Sequence, residues 1–175
     1  MKIMKISSVA RCGLTSVVCT AVFVAAFSRL GFAQVNPLIF GTWKLNLAKS
    51  VYRLGPPPKA QTQKYEPSGD GINVTVETLA DNGFRIAYSY SANLDGKEYP
   101  MNGGLTPNGA DTIAINRIDA VTIEAILRRA GEVVLTTRSV ISKDGKVLTH
   151  TSSGTNLNEL PTHSVTVFDK SYAPN

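Results

Sequence analysis

The chain has almost no cysteine. Only two of its 175 residues are Cys, and Cys12 and Cys19 both fall within the first 33. If that segment is removed, no disulfide, Cys-ligated metal centre or thiol nucleophile can form. Histidine is as scarce: His150 and His163 are the whole supply, and spacing identifies no third ligand to join them at a metal. No segment shows a convincing helical period, and no later apolar run is long enough to cross a membrane as a helix. Catalytic signatures are also missing. There is no Gly-x-Ser-x-Gly elbow, and Gly103-Gly104 leads into no helix that could cradle a phosphate. Asp111, Asp119, Glu124 and Glu132 are scattered over expected strand ends and turns, where they look like solvated termini and not a paired-carboxylate catalyst.

What the first 33 residues do contain is a targeting pattern. Lys2, Lys5 and Arg11 precede an apolar run from Gly13 to Phe27, and Gly31-Phe32-Ala33 supplies small residues for cleavage. The segment reads as a secretory signal peptide, leaving residues 34–175 as one exported domain, periplasmic or extracellular. An apolar run of about 15 residues is too short for a membrane anchor. Acylation of Cys19 is disfavoured because Val17-Val18 precede it and the apolar run continues beyond it. The leader also carries Lys2, Lys5, Arg11 and Arg29 and no acid, so the full chain's formal charge of +5 falls close to neutral without it. Nucleic acid is thereby removed as an expected partner.

The rest of the chain alternates. Ile72, Val74 and Val76 interleave with Asn73, Thr75 and Glu77, and Phe84, Ile86, Tyr88 and Tyr90 with Arg85, Ala87, Ser89 and Ser91. Further period-two runs follow at 121–128, 133–141, 147–152 and 162–168, with shorter candidates at 43–47, 61–65 and near Lys97 and Ile113. Between them stand Asp81-Asn82-Gly83, Asp95-Gly96, Ala130-Gly131 and Asp144-Gly145, whose residues supply the positive φ that tight hairpins need. Such short turns force antiparallel neighbours. The fold class expected is therefore all-β: an up-and-down meander of about eight to ten strands closed into a barrel, because closure removes the two exposed edges. A sandwich would need crossovers, for which only 48–60, 102–110 and 153–161 are long enough. Leu54-Gly55-Pro56-Pro57-Pro58-Lys59 reads as a stiff connector after the first strand.

Gly41-Thr42-Trp43, at the start of the first strand, resembles the Gly-x-Trp signature of lipocalins and their calycin relatives. Together with Lys44-Leu45-Asn46, Gly55-Pro56-Pro57-Pro58, Tyr88-Ser89-Tyr90, Asp95-Gly96-Lys97 and Ser142-Lys143-Asp144-Gly145-Lys146, it makes residues 34–175 similar to exported bacterial lipocalin-like domain proteins. The resemblance implies a lipocalin or fatty-acid-binding-protein-like barrel whose Gly41 lets the chain turn in closely and whose Trp43 plugs one end. Lipocalins usually stack an Arg from after the last strand on that Trp. Here Lys170 is the cation near the right place, and the Thr-Asp-Tyr motif of core lipocalins is absent, which sets the chain on an outlying branch.

A barrel of this size binds inside. Tyr88 and Tyr90, on one face with Phe84 and Ile86, are the expected ring-bearing ligand contacts. Arg117, continuing the Ile113-Ile115 face, and Arg138, sharing a face with Val134 and Val140, are the expected partners of a ligand carboxylate. The expectation is a monomeric, non-catalytic binder of a small hydrophobic or amphipathic molecule, with no cofactor and no metal. Two alternatives stand beside it. One is a solid barrel acting as an interaction module of the cell envelope, in which the polar stretch Gln61-Thr62-Gln63-Lys64 could add to a partner's sheet. The other is a haem- or metal-binding barrel or lipocalin-fold enzyme, which requires His150 and His163 to face one another across their hairpin.

Overall fold

The computed structural model describes residues 35–172, so the expected leader, with both cysteines, lies outside the described residues. Eleven strands run in sequence: β1 (Gly41–Leu45), β2 (Val51–Tyr52), β3 (Ala60–Ser68), β4 (Gly71–Leu79), β5 (Arg85–Ala92), β6 (Asp95–Gly103), β7 (Thr112–Arg117), β8 (Thr122–Arg129), β9 (Glu132–Ile141), β10 (Val147–Thr155) and β11 (Pro161–Ser171). From β3 to β11 each strand pairs antiparallel with the next. The ring closes because β1 bonds to both sides at once: Trp43 stands opposite Lys170 of β11 and opposite Gln63 of β3. The molecule is therefore the closed antiparallel meander expected, and the sandwich is excluded.

β1 and β2 share one place in the wall. After Leu45 the chain kinks through a 3-10 turn at Leu47–Lys49 and returns to β11 at Val51 and Tyr52. Asn46 pins this kink. Its side chain accepts from the Lys49 backbone N–H and donates to Asp169 at 2.6 Å. Ser50 continues the seam, donating to the Asn46 carbonyl and accepting from the Val167 N–H. The polar residues that follow Gly-x-Trp thus have a mechanical role, holding a broken strand against its neighbour without loss of backbone pairing.

The two ends of the barrel differ. At one end the turns are tight, and residues 35–40 fold across the opening, with a 3-10 turn at Pro37–Ile39 that buries Ile39. Trp43, Ile72, Leu148 and Phe168 pack there with essentially no exposure. Trp43 donates its indole N–H to the Ile39 carbonyl at 2.8 Å. The Lys170 ammonium sits 5.0 Å from the indole centroid and donates to the Leu38 carbonyl at 2.8 Å. Lysine therefore takes the place where a lipocalin would use arginine, covering the ring as a cation and tying down the plug. Gly41 makes room for it. Its φ is +125°, and a Cβ there would meet the Lys170 side chain at 3.1 Å.

The other end carries the longer connections, 53–59, 104–111 and 156–160, with the turns at 80–84 and 130–131. Each of the three longer segments returns to the barrel wall instead of crossing to a second sheet. No helix among the described residues is long and apolar enough to cross a membrane.

Candidate functional site: a cavity in the barrel

Inside the barrel, above the plug, lies a cavity of about 240 Å³. That is just under the ~300 Å³ at which ligand pockets commonly begin, a size that suits a small compact molecule. Strand alternation gives it two unlike walls. From β4 and β6–β8 come Val76, Met101, Ile113, Ile115, Ile123 and Leu127; from β9–β11 come Thr137, Ser139, His150, Ser152, Ser164 and Thr166. Tyr52, Pro58 and Pro107 stand where the longer loops rim it.

The polar side is organised around one acceptor. Gln63 Oε1 accepts from the Tyr65 hydroxyl at 3.1 Å and faces His150 Nε2 at 3.0 Å. With the amide placed this way, Nε2 carries the imidazole proton, so Nδ1 accepts from the Ser139 hydroxyl 2.7 Å away. The Tyr90 hydroxyl lies beside Tyr65 and is electrostatically coupled to it. Burial pushes His150 down from 6.5 to about 4, so it is neutral at pH 7. Burial likewise raises Tyr65, Tyr88 and Tyr90 above the ordinary phenol range. The Phe168 ring packs against the imidazole at 5.2 Å. Ser139 and His150 have the spacing of a nucleophile and base, but an imidazole held this far below neutrality is a weak base for the task. The arrangement orients polar groups and donates or accepts hydrogen bonds.

Of the residues the sequence singles out, Tyr88 and Tyr90 line the cavity. Phe84 does not share their position: it lies in the turn before β5, 67% exposed. The arginine expectation is corrected. Arg138 is exposed and paired in register with Glu124 and Thr151, because Thr137 and Ser139 are the β9 residues that reach the cavity. Arg117 does follow Ile113 and Ile115 on their face, but at the last position of β7. It has passed the cavity there, and its guanidinium donates to the Asp119 carbonyl beside the plugged end. Among the described residues, no Arg, Lys, Asp or Glu lines the cavity.

Register also decides the two histidines. His150 pairs with Thr166 and His163 with Ser153, which sets the rings on opposite faces of the wall and separates the two-His site. Gln61 and Gln63 both face the cavity, β4 pairs along the whole of β3, and β1 pairs its Thr62–Tyr65, so most of this polar stretch is not a free edge. Sequence reasoning marks His150 and Gln63 for other roles and misses Ser139. Strand alternation is compatible with an inward position for each, but only the register between β9, β10 and β3 brings them together.

No protein-family model matches the chain, and no curated protein does. Among solved structures, it is similar to zebrafish ileal bile acid-binding protein, in a crystal structure complexed with cholic acid. The two are 14% identical with a TM-score of 0.47, over 77% of this chain and 99% of that one.

Proposed function

We propose that the protein is an exported, monomeric carrier that holds a small uncharged amphipathic molecule in its barrel and does no chemistry on it. The observation that carries this reading is the cavity lining: an aliphatic wall faces a wall of neutral hydroxyl, amide and imidazole groups, with no ionised side chain between them. A ligand carboxylate would leave water and meet no cation, a cost of several kcal/mol. A hydroxyl or carbonyl would meet Ser, Thr, Gln and His partners, while the apolar body replaces water against isoleucine and leucine. The export part rests on the leader pattern of residues 1–33, and the monomer on ring closure through β1, which leaves only the two-residue β2 and the start of β3 without a partner strand on one side.

The test is calorimetric titration with matched pairs, such as a medium-chain alcohol and the fatty acid of the same length. The alcohol is expected to bind at least about tenfold more tightly, the equivalent of ~1.4 kcal/mol. Tighter binding of the carboxylate would overturn the uncharged ligand class, and failure of every pair to bind would overturn the carrier reading.

A further inference from the structure

Ser139 and His150 lie two residues along β9 and β10 from Ile141 and Leu148, both buried toward the plugged end, and Gln63 on β3 stands opposite Trp43 in register. The three polar side chains therefore form the floor of the cavity. Gln63 is only 7% exposed, so its amide needs hydrogen-bond partners inside the protein or inside the cavity. Its Oε1 has two, the Tyr65 hydroxyl and His150 Nε2, which take both lone pairs. Its Nε2 carries two N–H donors, and neither has an acceptor among the described residues. Fully enclosed side-chain polar atoms without a hydrogen bond are, among those residues, Arg128 Nε and Thr162 Oγ1. Gln63 Nε2 is not one of them, so its open surface faces the cavity that the residue lines.

The adjoining wall has the same surplus of donors. Thr166 pairs with His150 in register, Ser164 lies two residues away on the same face, and neither hydroxyl has an acceptor among the described residues. A hydroxyl accepts as well as donates, but an amide nitrogen only donates. Buried donors are costly to leave unpaired, and a ligand oxygen is what remains to pair these. The amide and the imidazole are coupled. With Ser139 donating to Nδ1, Nε2 holds the proton that goes to Oε1, and the N–H pair turns to the cavity; the opposite tautomer would turn the carbonyl there instead.

We propose that Gln63 is the specificity-determining contact of the cavity, its amide N–H groups selecting a ligand whose polar end is a neutral carbonyl, such as a ketone or ester, over the corresponding alcohol. This rests on the carrier reading and narrows it. A carbonyl oxygen has no proton to place and two lone pairs, enough to receive Gln63 and one of the neighbouring hydroxyls. An alcohol accepts from the same N–H, but its own proton finds Gln63 Oε1 and both imidazole nitrogens already engaged and must compete for the Ser164 or Thr166 oxygen. His150 and Ser139 act as positioning residues, holding the amide in the orientation that presents its donors.

The experiment is calorimetric titration of the full chain with a medium-chain methyl ketone and with the secondary alcohol that its reduction gives, two probes of one carbon skeleton. The ketone is expected to bind at least about tenfold more tightly, and Gln63→Met to reduce that preference to no more than about twofold. Two measurements on the unaltered protein do not depend on the variant folding. The carbonyl stretch of the bound ketone is expected at lower frequency than in alkane solvent, and nitrogen-15 NMR is expected to find the His150 proton on Nε2 at neutral pH. Equal or tighter binding of the alcohol, an unshifted carbonyl stretch, or a proton on His150 Nδ1 overturns the proposal and leaves the carrier reading standing. Binding of neither probe overturns both.

Discussion

The plugged end and the open end of this barrel are built from the same alternating strands, yet they differ in what covers them. At the plugged end Trp43, Phe168, Leu148 and Ile72 are wholly buried, and residues 35–40 and Lys170 lie over them. At the open end Phe84 and Leu157 stand 67% and 64% exposed on loops that rim a cavity. The difference teaches how a small barrel can keep a hollow interior. Close packing concentrated at one end supplies stability that the hollow half does not, and so the mouth is free to present side chains suited to contact.

The largest effect separating the two ends is expected at Trp43. Trp43→Ala removes the plug's main ring and leaves the Ile39 carbonyl without its donor, and should cost about 3–5 kcal/mol in urea unfolding. A loss below about 1 kcal/mol would place the stabilising core elsewhere. Next comes His150, on the cavity wall between the ends. Its folded value of about 4 lies below the unfolded 6.5, so from pH 6.5 down to 4 the unfolded chain takes up a proton that the folded one refuses. The contribution is full above pH 6.5 and falls by roughly 3 kcal/mol as pH drops through that window. His150→Gln should lack that component, and in NMR the His150 ring should stay neutral down to about pH 5 while the folded protein is observed. A His150 ring that titrates near its ordinary value would show the site to be wetter than its packing implies.

Lys170→Ala should cost about 1–2 kcal/mol, since it uncovers the indole face and unpairs the Leu38 carbonyl. Lys170→Arg, which restores a planar cation over the ring, should recover most of that loss in thermal unfolding. The smallest effect is expected at the mouth. Leu157→Ser and Phe84→Ser should each change stability by no more than about 0.5 kcal/mol, because neither side chain is buried in the barrel. Losses above about 2 kcal/mol there would mean the rim is part of the core, and the contrast between the ends would fail.

Much of the barrel is legible in the residues alone. Alternation in Ile72, Val74 and Val76 fixes a face, and Asp-Gly and Asn-Gly turns fix hairpins; together they leave closure as the way to remove edges. The Gly-x-Trp resemblance points to the plug, and Lys170 to its cover. What local pattern does not fix is phase at the ends of strands and register between them. Arg138 shares a face with Val134 and Val140 by strand parity, but that face is outside at Arg138, and Arg117 is on the inward face one step beyond the cavity. Ser139, His150 and Gln63 lie on three strands, and the last is 87 residues from the histidine it meets. No local period reports such a meeting, because cross-strand register is set by the closure of the whole ring.

The central claim is that the cavity holds a small uncharged amphipathic molecule. Native mass spectrometry of the protein recovered from its own source, set against the same sample under denaturing conditions, tests it most directly. A stoichiometric extra mass that dissociates on denaturation, and that belongs to a molecule without a carboxylate or phosphate, is the expected result. A clean unliganded mass, unchanged by added medium-chain alcohols, phenols and lipids, would contradict it, as would a tightly held anion.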